Sequence, residues 1–82
     1  MVEVNFVDDF GNVVLNLPDL NAIKGLFGAT INYSNTQSLI MDMMTNHSRY
    51  TLGGVEYYYE NVHISNTNGT INVRYKPLNL PK

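Results

Sequence analysis

Between Arg49 and Pro77 the chain reads RYTL, GG, VEYYYENVHI, SNTNG, TINVRYKP. Strand side chains point alternately to the two faces of a sheet, and apolar and polar residues alternate here with that period. Gly53-Gly54 and Asn68-Gly69 separate the alternating runs, and tight hairpins need such residues because they adopt positive φ. The pattern predicts an antiparallel meander of three strands. One face collects Tyr50, Leu52, Val55, Tyr57, Tyr59, Ile71, Val73 and Tyr75. The other collects Arg49, Glu56, Tyr58, Glu60, His63, Arg74 and Lys76. The inward phase slips by one residue between Tyr59 and Val62, so a bulge is expected near Glu60-Asn61. Three consecutive tyrosines cannot all face one core, and it is Tyr58 that must point outward.

The first half is read the same way. VEVNFV alternates, DDFGN is turn chemistry and VVLNL follows, so residues 2–17 form a hairpin turning near Asp9 to Asn12. Pro18 suits a first helical turn and Asp19 its N-terminal end; Leu20, Ile23 and Phe27 share one helical face. Gly25 and Gly28 hold that helix to about two turns. GATINY spaces Ala29, Ile31 and Tyr33 like a short strand. SNTQSLIMDMMTNH has the best helical spacing, in Leu39, Ile40, Met43, Met44 and His47. The expected fold is therefore α+β, with a single domain over 1–76. An antiparallel sheet, made of the N-terminal hairpin and the C-terminal meander, packs against one or two short helices. Residues 77–82, with Leu78 and Leu80, form an extended tail that packs back on the domain or docks on a neighbour.

Composition narrows the functions. With 82 residues the chain buries only about 60% of its unfolded surface, so a partner or a second copy has much to add. At 44% hydrophobic and 15% charged it is globular rather than disordered. No apolar run nears the roughly 20 residues of a membrane span, the start MVEVNFVDDF lacks the pattern of a signal peptide, and cysteine is absent. A reducing cytoplasm is the expected location. Residues 1–42 carry Glu3, Asp8, Asp9, Asp19 and Asp42 against Lys24; residues 43–82 carry Arg49, Arg74, Lys76 and Lys82 against Glu56 and Glu60. That asymmetry suits head-to-tail contacts or a partner of mixed charge. Asparagine is abundant, and its AT-rich codons suggest a low-GC bacterium or its phage. The same abundance accounts for the N-x-S/T matches at Asn32, Asn46 and Asn68.

Motifs of catalysis are missing. Asp9-Phe10-Gly11 spells a kinase motif by letters only, since the other kinase elements do not fit in this length. His47, His63 and Glu60 are the obvious acid-base groups, without a nucleophile elbow, a phosphate loop or metal-binding spacing. A histidine like His47, at the end of an amphipathic helix, ordinarily caps carbonyls or packs at the edge of the core. Neither an enzyme nor a bound metal or cofactor is expected.

Ile23-Lys24-Gly25-Leu26-Phe27-Gly28-Ala29-Thr30-Ile31 resembles the I-x-G-x-x-G-x-x-I core of the KH family of RNA- and single-stranded-DNA-binding domains, with Leu17-Pro18 ahead of it. The resemblance implies that Gly25, Leu26, Phe27 and Gly28 form a loop between two helices that clamps a nucleic-acid backbone. It spans about fifteen residues, and Leu26 and Phe27 stand where that family usually carries a basic residue.

The outward face of the meander gives the preferred reading: a small non-catalytic protein-interaction module. Tyr58 is its anchor, and Arg49, His63 and Arg74 set orientation, because tyrosine and arginine are enriched at protein contacts. The AT-rich composition suggests a phage or mobile-element accessory protein that binds and inhibits a host protein or defence system. Two alternatives stand beside this: a structural subunit of a virion or symmetric oligomer, and a ligand or single-stranded nucleic-acid binder. The expected partner is a protein or a second copy of the chain, with nucleic acid disfavoured and no membrane.

Overall fold

The computed structural model describes residues 2–65 and 69–78. The order of elements is β1 (Val2–Val7), β2 (Val13–Leu17), α1 (Leu20–Phe27), α2 (Thr36–Asn46), β3 (Arg49–Leu52), β4 (Val55–Ile64) and β5 (Ile71–Pro77). The five strands form one sheet in the order β2-β1-β5-β4-β3. The fold is α+β, with two helices on one face of the sheet.

Both hairpins at the ends follow from their turn residues. Gly11 (φ 84°) donates its N–H to the Asp8 carbonyl at 3.1 Å, and Asp8 donates to the Asn12 carbonyl at 2.9 Å. This is a three-residue loop closed by a glycine in the left-handed region. Its side-chain clamp is Asp8 Oδ1, which accepts from the N–H groups of Phe10 and Asn12, both at 2.9 Å. Gly53 and Gly54, at φ 57° and 81°, join Leu52 to Val55. The expected hairpin between β4 and β5 is present, with Ile64 opposite Ile71 and the Ser65 N–H bonded to the Thr70 carbonyl at 2.8 Å. The expected bulge is also present, as a register shift between Tyr59 and Asn61.

The sheet corrects the antiparallel expectation. β1 runs parallel to β5, Val2 pairing with Ile71, Val4 with Val73 and Phe6 with Tyr75. The hairpin and the meander are thereby fused into one mixed sheet. Alternation reports which face a residue occupies and carries no information on which strand lies alongside. The two strands that meet are those richest in fully buried residues, as central strands should be: Val4 and Phe6 on β1, Val73 and Tyr75 on β5.

The core lies between this face and the helices. It comprises Val4, Phe6, Leu17, Ile23, Phe27, Ile31, Leu39, Met43, Tyr57, Val73 and Tyr75, with Tyr50, Tyr59 and Val62 at its margin. Phe6 is the hub, stacked on Tyr75 at 4.9 Å and edge-on to Tyr57 at 5.3 Å and Tyr50 at 5.9 Å. Such contacts add about 0.5–1.5 kcal/mol per pair beyond the area they bury.

Each helix starts at a side-chain cap. Asp19 accepts from the Ala22 N–H at 2.9 Å and Asn35 from the Ser38 N–H at 2.8 Å. Residues 29–33 are not the short strand their spacing suggests. They form turns leading to α2, in which Ile31 drops one side chain into the core. Of the expected tail, Pro77 is buried and closes β5, and Leu78 donates to the Glu56 carbonyl at 2.8 Å; Leu80 lies outside the described residues.

Candidate functional site

Because both helices and the whole core cluster occupy one face, the opposite face of the sheet carries no second layer among the described residues. Register places its side chains in rows. In one row Tyr58 stands opposite Arg49 on β3 and opposite Lys76 on β5, so a half-buried aromatic ring sits between two cations. In the next row Arg74 stands opposite Asn61 at the bulge and beside Asn5 of β1. Beyond it His63 pairs with Asn72, which lies beside Glu3.

The four residues singled out in the sequence therefore divide. Tyr58 lies between Arg49 and Lys76, with Arg74 one row along on β5. His63 shares the face but lies five residues farther along β4, about 16 Å at the usual strand rise. Arg49 reaches Glu56 at 3.4 Å, a solvent-exposed ion pair of small energetic weight. Among the described residues neither Arg74 nor Lys76 has a carboxylate within ion-pair distance. The Tyr58 hydroxyl likewise has no hydrogen-bond partner among them.

The other half of the face is a polar network that sequence reasoning missed. Glu3 accepts from Asn72 Nδ2 at 3.1 Å and from Asn16 Nδ2 at 3.3 Å, and Asn16 also donates to Asn5 Oδ1 at 2.6 Å. Asn72 Oδ1 is buried without a hydrogen-bond partner among the described residues. The period-two spacing of Glu3 and Asn5 against Val2, Val4 and Phe6 was the available signal.

Gly25, Leu26 and Phe27 are the last turn of α1, and Gly28 is its cap, donating to the Lys24 carbonyl at 2.9 Å with φ 104°. Phe27 is buried against Phe6, Tyr50 and Tyr75. The four residues thus do not form an exposed loop between two helices, and the geometry the KH resemblance implies is absent here.

A second polar centre lies on the helical side. Asp42 accepts from the Asn32 N–H at 2.9 Å and from Asn46 Nδ2 at 2.6 Å, and lies 3.5 Å from His47 Nε2. The Asn46 bond above all, then the Asn32 N–H and the His47 charge, hold its carboxyl below the ordinary range. His47 is the cap of α2; its ring meets the edge of Phe27 at 5.6 Å and its carbonyl accepts from the Tyr75 hydroxyl at 2.7 Å. The nearby hydroxyl of Thr45 donates to the Met41 carbonyl. Every group in this centre is engaged in joining the α1–α2 connection, α2 and the sheet. Among the described residues no group of three or more metal-binding side chains comes together, and no helix is long and apolar enough to cross a membrane. Compared with known proteins, the chain matches no family model, no curated protein and no solved structure.

Proposed function

We propose that this chain is a small protein-interaction module whose docking surface is the uncovered sheet face, with Tyr58 as anchor and Arg49, Arg74 and Lys76 around it. The observation that carries the reading is the position of Tyr58, half-buried and in register between Arg49 and Lys76, on the face opposite both helices. A ring held this way presents a large apolar area at low conformational cost, and Arg74 and Lys76 have no carboxylate at ion-pair distance among the described residues. The partner this fits is a protein surface with an apolar socket flanked by aspartate or glutamate. Glu3 and Glu56 share the face with the cations. The mixed signs disfavour a polyphosphate backbone, whose binding rests on concentrated positive charge. Inhibition of a host protein is the use that the AT-rich composition suggests for such a module.

The test places a photoreactive phenylalanine analogue at position 58 and, separately, at exposed Gln37 on α2. A protein adduct from position 58 alone, mapping to an acidic peptide and lost on Arg74→Glu/Lys76→Glu, is the expected result. Adducts from position 37 alone, or nucleic-acid adducts from position 58, would overturn the reading.

A further inference from the structure

Glu3 is a carboxylate held in place by neutral groups. Its Oε1 accepts from Asn72 Nδ2 at 3.1 Å and its Oε2 from Asn16 Nδ2 at 3.3 Å, so amides from both neighbouring strands fix it on the uncovered face. Among the described residues no lysine, arginine or histidine lies within ion-pair distance of it. The network is also short of donors. Asn16 Nδ2 donates its other hydrogen to Asn5 Oδ1 at 2.6 Å, and Asn72 Oδ1 has no hydrogen-bond partner among the described residues. Folded proteins ordinarily satisfy such an oxygen. His63 stands opposite Asn72 in register but is exposed and makes no ion pair with Glu3.

Strand register places this carboxylate relative to the cations. Asn72, Arg74 and Lys76 share one face of β5, about 7 Å apart at the usual strand rise. Glu3 lies beside Asn72, and Asn5 lies beside Arg74. Arg74 is thus diagonal to Glu3 and makes no ion pair with it. The uncovered face is divided by charge along its central strands. Arg74 and Lys76 stand at one end and Glu3 at the other, and among the described residues neither end supplies the other's counter-charge.

We infer that the protein partner of this face presents a basic side chain, lysine or arginine, to Glu3, beside the carboxylates that meet Arg74 and Lys76. The inference rests on the docking reading above and adds an order of charges to it: base, then acid, over about 7–13 Å along β5, with the apolar socket at the acid end. Each Glu3 oxygen keeps a lone pair beyond its amide bond, and a hydrogen bond between two charged groups is roughly twice as strong as a neutral one. The two amides already fix the carboxylate, so little side-chain freedom is lost when a cation arrives. A uniformly acidic partner would set a like charge against Glu3, and specificity is built from such repulsion as well as from attraction.

The probe is a library of random dodecapeptides displayed on phage and selected on the immobilised full chain, with Glu3→Gln, Asn16→Lys and Arg74→Gln/Lys76→Gln in parallel. Asn16→Lys sets a cation of the chain's own beside Glu3, and its exposed position keeps the test available where Glu3→Gln disturbs folding. Circular dichroism and melting check that each variant is folded. The expected wild-type pool is enriched in peptides that carry both a carboxylate and a basic residue. The basic enrichment is lost on Glu3→Gln and on Asn16→Lys, and the carboxylate enrichment on Arg74→Gln/Lys76→Gln. By fluorescence anisotropy a selected peptide binds Glu3→Gln at least tenfold more weakly than wild type, while its version with glutamine at the basic position binds both alike. Carboxylate enrichment without basic enrichment, or basic enrichment that survives both Glu3→Gln and Asn16→Lys, would overturn this inference and leave the docking reading standing. A pool with neither enrichment, or one indifferent to Arg74→Gln/Lys76→Gln, would overturn both.

Discussion

Tyr75 is fully buried, and its hydroxyl donates to the His47 carbonyl at 2.7 Å, a polar thread from the middle of the sheet to the end of α2. Burial first, then Tyr59 and Asp42, push that hydroxyl well above its ordinary pKa, so it remains a donor at any physiological pH. Tyr75→Phe leaves the carbonyl without this donor; a loss of about 1 kcal/mol in urea-unfolding stability is expected. Asp42 offers a second test through pH. Its folded-state pKa is lowered from 3.8, so its contribution is fully present above 3.8 and is lost as pH falls through the lowered value. Asp42→Ala should cost about 1–2 kcal/mol at pH 7, and the gap from wild type should close as pH drops below 3.8, as followed by thermal melts. Tyr58 pointing outward was legible, because strand geometry dictates it. The Asp42 centre was not, since it joins Asn32 in the α1–α2 connection to a side chain on α2, and no periodicity spans such a connection.

At the level of elements, spacing gave the existence and type of both helices and all five strands. It also gave the Glu60-Asn61 bulge, because a phase slip within one strand is written in the strand itself. It misassigned residues 29–33, where alternation over three positions arises with only Ile31 buried. Strand neighbours were beyond its reach: the parallel pairing of β1 with β5 links residues about seventy apart, and such long-range closure leaves no local trace. Helix α1 settles how its glycines are used. Gly25 is helical, exposed and has open space where a Cβ would sit, so Gly25→Ala should stabilise the fold by about 0.5–1 kcal/mol in chemical denaturation. A backbone-clamping loop would instead lose stability or ligand contact on that change.

For the molecule as a whole, the two-layer fold leaves one sheet face without a second layer among the described residues. The sequence pointed to that face through Tyr58, Arg49 and Arg74. Alternation also put Lys76 there, whereas the link from Glu3 to Asn72 emerged only with the strand order, because the sequence does not show β1 and β5 to be adjacent. The central claim is that this face, and not the helical side, is the docking surface. Photo-crosslinking from position 58 in cells of the source organism, compared with position 37, tests it most directly. A discrete adduct with an acidic protein segment is expected from position 58 and none from position 37. No adduct from position 58, together with one from position 37, would contradict it.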